Sequence, residues 1–450
     1  MSLPNTTIAP AKQRILPLHL SPIELFMLAD DQPGYPMNFL IRLRLSGEID
    51  RSAFTAALEE ALGRHPLLRA LIRPGKGDLP CWTLAEAEPY LDWGPEAKPL
   101  ECPGSEHIDL TREIGLRVWV RTGAQWATVL LQFHHACCDG TGAYRFIGDL
   151  LALYGVRTAE GDQRPVLGPV EQRLLRSRWA HMRGLAGASA LELMRAALKG
   201  GWKLLSGRPA PLLAPRGARA QGGMASDFPG FLCFSFERSE HQQLRDAAGR
   251  DGVTLNDLLL RDLFLAMRRW NSRGGSRRGR PLRIMMPTDL RGSEDYEMPA
   301  ANMTGYTILT RRGRDCDAPD QLLRSIRNET ALIKHQRSGA LFMDTIYMAL
   351  KVRGLLPWLL SRNLCLATAA LSNAADPSRR FSAHFPRQSG RVRCGNLRLE
   401  EISGVPPLRR KSRATVSISQ YDRRLTISLR CDPQLFRLQD TAALLGLYVE

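Results

Sequence analysis

Residues Trp126 to Gly155 read WATVLLQFHHACCDGTGAYRFIGDLLALYG, an apolar run that ends in two histidines and turns through Asp-Gly-Thr-Gly into a second apolar segment. Trp126–Phe133 has the apolar density of a buried strand, and Ala143–Tyr154 spaces its apolar residues as a helix does. The chain must therefore turn a corner between them, and the glycines supply the conformational freedom or close approach that such a turn needs. Asp139 could close the turn through bonds to nearby backbone. On a strand, neighbouring side chains leave opposite faces, so His134 and His135 cannot both face one site. One is expected to pack inside and the other to face a cleft.

The same alternation of strand and helix runs through the rest of the chain. NFLIRLRL at 38–45 alternates with a period of two, and Phe54, Leu58, Ala61 and Leu62 then recur at helical spacing before Pro66. A strand is expected at Arg117–Val120. Between Gly155 and about Ser226 come a basic, amphipathic stretch (residues 171–205) and a Gly/Pro/Ala/Arg-rich connector, SGRPAPLLAPRGARAQGG, which reads as a linker. The second half resumes with a strand at FLCFSF and two helices, with Thr254 and Asn256 as cap candidates. PLRIMMPTDLR and Tyr306–Thr310 follow as strands. A hairpin is expected around Tyr421–Arg424. No repeat of solenoid period is present, so the expected class is mixed α/β in two halves.

With 450 residues the chain is long enough for two cores of roughly 200 residues each. Its nine cysteines form no CxxC pair and no secretory signal precedes them, a pattern expected of a reducing, cytoplasmic setting. No run reaches the length of a membrane span; Leu355–Ala370 is apolar but interrupted by Ser361 and Arg362. The 62 Lys and Arg against 45 Asp and Glu suit anionic partners. No zinc-ligand spacing or recognition-helix signature accompanies the charge, so no specific nucleic-acid partner is expected. The stretch 171–205 could lie on a membrane surface through Trp179, Leu185, Leu191, Leu193 and Trp202, although packing as a helical crossover is the better expectation.

A strand-end histidine is often a purely structural, hydrogen-bonded imidazole. A metal reading of His134, His135, Cys137, Cys138 and Asp139 is disfavoured because tetrahedral sites draw spaced ligand pairs from separate elements. Cys137 as a thiolate nucleophile lacks a basic neighbour other than the histidines. The chemical alternative is general base catalysis, in which imidazole takes a proton from an alcohol or amine attacking an activated acyl carbon.

HHACCDG at 134–140 resembles the HHxxxDG signature of the condensation-domain and acyltransferase superfamily, which includes peptide condensation domains, plant BAHD acyltransferases, polyketide-associated acyltransferases and wax ester synthases. LSPIELFML at 20–28 resembles that superfamily's opening motif, and RHPLLRA at 64–70 its "RHP-hydrophobic-LR" entry. MPTDLRG at 286–292 with Asn302 resembles the "P-V-x-x-R … G-N" stretch, Ser372-Asn373 the "SN" strand end, and 419–436 the C-terminal hairpin. The matches keep the family's order along nearly the whole chain. Three departures stand out: no DFGWG sequence, Ala301 where a glycine usually precedes the asparagine, and AADPSRRF after the SN pair.

The resemblance implies two chloramphenicol-acetyltransferase-like subdomains forming a V around a central tunnel. Residues 1–155 and 227–450 would form the halves, and 156–226 the crossover and linker. It implies His135 as general base, His134 as a structural residue, Asp139 held by an ion pair to Arg291, and Gly140 giving close backbone approach and an oxyanion N–H. Asn302, Ser372 and Asn373 would contact substrate. No metal and no tightly bound cofactor are expected. The implied co-substrate is acyl-coenzyme A or a phosphopantetheinyl thioester on an acyl-carrier protein, with an alcohol or, alternatively, an amine as acceptor. The Arg-rich stretches 271–283 and 409–413 are candidate docking surfaces. Two alternatives stay open: a stand-alone peptide-type condensation enzyme and a non-catalytic binding or scaffold member.

Overall fold

The computed structural model describes residues 15–450 apart from 76, 78, 160–162, 181, 183–188, 190, 193, 196–200, 203–206, 216–227, 274–279 and 363. About half of the stretch 171–205, much of the connector after it and the middle of 271–283 thus lie outside the described residues. Two large sheets organise the rest. The first runs in the order Arg387–Gln388, Arg391–Cys394, Leu397–Val405, Asn38–Ser46, Trp126–His134, Leu116–Thr122, Tyr90–Pro95. The second runs Thr304–Arg311, Leu282–Asp289, Ala369–Asn373, Ala414–Tyr421, Arg424–Cys431, Leu232–Phe236. Chain order and sheet membership part at one place. Leu397–Val405 comes late in the chain yet pairs antiparallel with Asn38–Ser46, which ties the C-terminal portion into the N-terminal sheet.

The N-terminal sheet buries Leu43, Val118, Val129, Leu131 and Phe133 against the helices Arg51–Arg64 and Gly140–Thr158. Leu260, Phe264, Ile284, Val416 and Ile427 form the core of the other half, under the helices Leu255–Ser272 and Leu438–Val449. The fold is mixed α/β with two subdomains.

Local sequence explains several element boundaries. In LSPIELF, Ser21 is the N-cap of Pro22–Asp30 and Glu24 returns a bond to the Ser21 N–H, a capping box with proline at the helix start. Thr254 caps Leu255–Ser272 in the same way with Asp257, whereas Asn256 caps nothing and accepts from the Asn373 side chain at 2.9 Å. Ala414–Tyr421 and Arg424–Cys431 form the expected hairpin, its turn residues Asp422 and Arg423 both at positive φ. The connector departs from a free linker over residues 207–215. Leu212 is fully buried, the Leu213 N–H donates to Asn271, and the Leu213 carbonyl accepts from Trp270.

Glu24 has a second role beyond its cap. Its carboxylate takes two bonds from Arg178, at 2.6 and 2.7 Å, and one from the Trp82 indole at 2.9 Å, all out of contact with solvent. Removing one partner of a buried pair strands the other charge. Glu24→Ala is therefore expected to destabilise the protein by about 3–5 kcal/mol in urea unfolding; a loss below about 1 kcal/mol would show that the pair is solvated.

Candidate active site

The corner after Trp126–His134 closes more tightly than periodicity alone suggests. Asp139 is the N-cap of Gly140–Thr158 and accepts from the Gly142 N–H at 2.8 Å, so the helix begins three residues before Ala143. The two histidines diverge as strand alternation requires. His134 turns inward, its Nδ1 accepting from the Ala136 N–H and its Nε2 lying 3.3 Å from Asp31. Asp31 also accepts from His107 at 2.7 Å and from the Met37 N–H. Burial pushes the Asp31 carboxyl up, but its bond to His134 and the other donors outweigh burial and leave it below its ordinary range.

His135 lies on the wall of a cavity of about 330 Å³ between the two sheets. Phe39 packs against its ring, with centroids 5.1 Å apart. The Asn302 amide is oriented by the Thr304 N–H, which donates to its Oδ1 at 3.0 Å; its Nδ2 then donates to the His135 carbonyl at 2.7 Å and lies 3.0 Å from His135 Nδ1. That leaves Nε2 as the ring nitrogen available to the cavity. The two neutral tautomers differ in one contact. With its proton on Nδ1 the ring donates to its own carbonyl and Nε2 is a free base; with the proton on Nε2, Nδ1 accepts from Asn302. Burial lowers the pKa of His135 to about 4, the nearby Asp139 charge offsetting part of that shift. The ring is consequently neutral at physiological pH.

Asp139 itself is saturated with donors. Arg291 meets it through two nitrogens at 2.8 and 3.0 Å, the Met303 N–H donates at 2.8 Å, and the Thr304 hydroxyl lies at 3.2 Å. Burial pushes its carboxyl up, but the Arg291 charge and these bonds overcome it and hold the group ionised. Arg291 also reaches Asp289 at 3.0 Å and the Ala301 carbonyl at 2.8 Å. The ion pair implied by family resemblance is present.

Three expectations need correction. Asn302 is fully buried and spends its amide on His135 and Thr304, so it positions the imidazole instead of touching substrate. The close backbone approach falls at Gly142, where a Cβ would meet the Ala301 N and O at 2.9 Å; at Gly140 it would meet only open space, on the cavity side. Arg283, counted in a docking stretch, is buried and bonded to Thr310. Ser372 and Asn373 do line the cavity, although the Asn373 side chain is held between Asn256 and the Ala375 N–H. As the first residue of its helix Gly140 has an N–H with no intrahelical acceptor. Burial pushes the thiols of Cys137 and Cys138 well up, which removes them as nucleophiles. Arg409 in the other docking stretch pairs with Asp30.

Sequence reasoning missed Asp31, Thr304 and the apolar wall of the cavity, to which Phe26, Phe342, Ile346, Leu356 and Leu360 contribute.

No family model matches the chain. An uncharacterised protein of Mycobacterium tuberculosis is 24% identical over 360 residues, covering 78% of each chain. A segment of CymA, a probable non-canonical nonribosomal peptide synthetase of Salinispora arenicola, is 31% identical over 152 residues, 32% of this chain and 2% of CymA. Among solved structures, the trichothecene 15-O-acetyltransferase TRI3 of Fusarium sporotrichioides superposes with a TM-score of 0.67 at 12% identity, over 96% of this chain and 94% of TRI3. A variant of the starter condensation domain of rhizomide synthetase RzmA, in complex with C8-CoA and Leu-SNAC, gives 0.63 at 13% over 96% and 93%. The protein has the fold of the condensation-domain and chloramphenicol-acetyltransferase-like superfamily, and its structural neighbours are acyltransferases and condensation domains.

The two glycines give a direct check on the corner. Gly142→Ala forces its Cβ into backbone and is expected to cost about 1–3 kcal/mol in urea unfolding. Gly140→Ala should stay within about 0.5 kcal/mol of the native protein, because its methyl enters open space. Equal losses would contradict the packing described.

Proposed function

We propose that the protein is an acyltransferase that moves an acyl group from a thioester, coenzyme A or a phosphopantetheinyl carrier, to an alcohol. The observation that carries this reading is the neutral His135, whose Nε2 faces a cavity lined by both subdomains. With its proton on Nδ1, the ring takes the acceptor hydroxyl proton on Nε2 as the alkoxide oxygen attacks the thioester carbon. The tetrahedral intermediate collapses by breaking the C–S bond, and the leaving thiolate takes the proton back from the imidazolium. Atoms and charge balance without a covalent enzyme intermediate. Asp139 does not react; its charge favours the transient imidazolium, and Asn302 holds the His135 carbonyl to which the Nδ1–H donates. The Gly140 N–H is the candidate donor to the developing oxyanion.

Two features support an acyl thioester in the cavity: its apolar wall, and the presence of C8-CoA in the complex of RzmA, whose fold this chain shares. A second reading, amide formation on an amine acceptor, is favoured by the alignments with segments of CymA and of an isonitrile lipopeptide synthase of Mycobacterium tuberculosis. An acyl-carrier protein as donor would fit either. A binding or scaffold role is a further alternative, and the X-domain from teicoplanin biosynthesis, which is similar in fold, was solved in complex with OxyB; such a role would not require a buried, neutral imidazole held at the cavity.

Thiol release from a panel of acyl-coenzyme A and carrier-bound thioesters, with alcohol and amine acceptors supplied separately, tests the reading. Acceptor-dependent release with alcohols is expected, falling about 10²–10⁴-fold in His135→Ala. Release with amines alone would establish the second reading, and release indifferent to the substitution would refute the assignment of His135.

A further inference from the structure

The cavity's apolar wall has an outer side. Ser338–Lys351 and Leu355–Ser361 place Phe342, Ile346, Leu356, Leu359 and Leu360 against the cavity. The same two helices and the turn between them send Val352 and Trp358 outward, 56% and 52% exposed. Arg362 lies over the Trp358 ring at 4.4 Å, and Lys351 over the Tyr347 ring at 4.9 Å. Trp179 stacks on the other aromatic of this pair, with its ring 6.4 Å from that of Tyr347. Trp202, adjoining the cavity-lining Gly201, is 75% exposed. Large apolar side chains exposed together normally mark an interaction surface.

Charge chooses among partners. Residues 337–362 contain four basic side chains, Arg337, Lys351, Arg353 and Arg362, and one acid, Asp344, which is fully buried. Within this segment the exposed charges are therefore all basic. Tryptophan and tyrosine flanked by Lys and Arg is the composition that settles at a membrane interface, rings at the headgroup level and cations on anionic lipid. Among the described residues no helix is long and apolar enough to cross a bilayer, so contact here would be superficial.

We infer that the face formed by Lys351, Val352, Arg353, Trp358 and Arg362 docks on an anionic lipid bilayer. This surface borders the stretch 171–205 noted in the sequence, whose Trp179 packs on Tyr347. Because the docking helices are also the cavity wall, a docked molecule holds its cavity beside the lipid. Docking requires no acyl transfer, so the inference stands or falls apart from the proposed reaction.

The test is co-sedimentation of the full-length protein with phosphatidylcholine vesicles, with and without phosphatidylglycerol. Binding is expected only with phosphatidylglycerol, and added salt should weaken it. Lys351→Gln, Arg353→Gln and Arg362→Gln should each weaken it about fivefold, and Trp358→Gln should weaken it as well. Arg157→Gln, which removes a charge elsewhere, should leave it unchanged. These side chains are exposed, and an unaltered thermal midpoint confirms that each variant is folded. No binding to anionic vesicles would overturn the inference, as would binding that all four variants retain. A self-association abolished by Trp358→Gln, without vesicle binding, would reassign the face to a second copy of the chain.

Discussion

The ion pair between Asp139 and Arg291 is the joint on which the site depends. Asp139 ends the corner after the strand Trp126–His134 and starts a helix; Arg291 follows a strand of the other sheet. Their bidentate contact, with the Met303 N–H and Thr304 hydroxyl on the same carboxylate, brings residues 301–304 against the helix start. Gly142 leaves room for that approach. Asn302 is thereby carried to His135. A carboxylate accepting so many donors is costly to disturb, because any lost partner leaves charge buried and unmatched.

The consequence is electrostatic. The contact that joins the two subdomains lies beside His135, and burial lowers the pKa of its imidazole. The Asp139 charge acts in the opposite direction, favouring the imidazolium. A base in this position is unprotonated at rest and has a counter-charge close by when it accepts a proton. The apolar wall on the other side of the cavity gives an acyl chain somewhere to lie.

What could be read from sequence was mostly local. The cap at Thr254, the alternation at 38–45 and the hairpin at 421–424 depend on residues within a few positions of one another. The helix start was read three residues late because the capping role of Asp139 depends on the corner geometry and not on apolar spacing. The Asp139–Arg291 contact spans 152 positions and came from family resemblance, since no periodicity encodes it. Asp31 is one carboxylate 103 positions from His134 and leaves no local signal. Asn302 was placed in the right region with the wrong contact, because which way a buried amide faces is decided by partners such as Thr304. The helices Ser338–Lys351 and Leu355–Ser361 carry apolar residues on both their cavity and their outer sides, which blurs the helical period that would have revealed them.

The central claim is that assembly of the subdomains buries His135 as a neutral base. In the unfolded chain a histidine titrates near about 6.5, so as pH falls from there toward 4 the unfolded state takes a proton that the folded state refuses, and stability declines across that window. The most direct measurement is an NMR titration of the His135 ring in the native protein, assigned by comparison with His135→Ala. A midpoint near 4, with a neutral ring throughout the range above it, is the result expected. A midpoint at or above about 6.5 would show an imidazole open to water or dominated by Asp139, and would contradict the account.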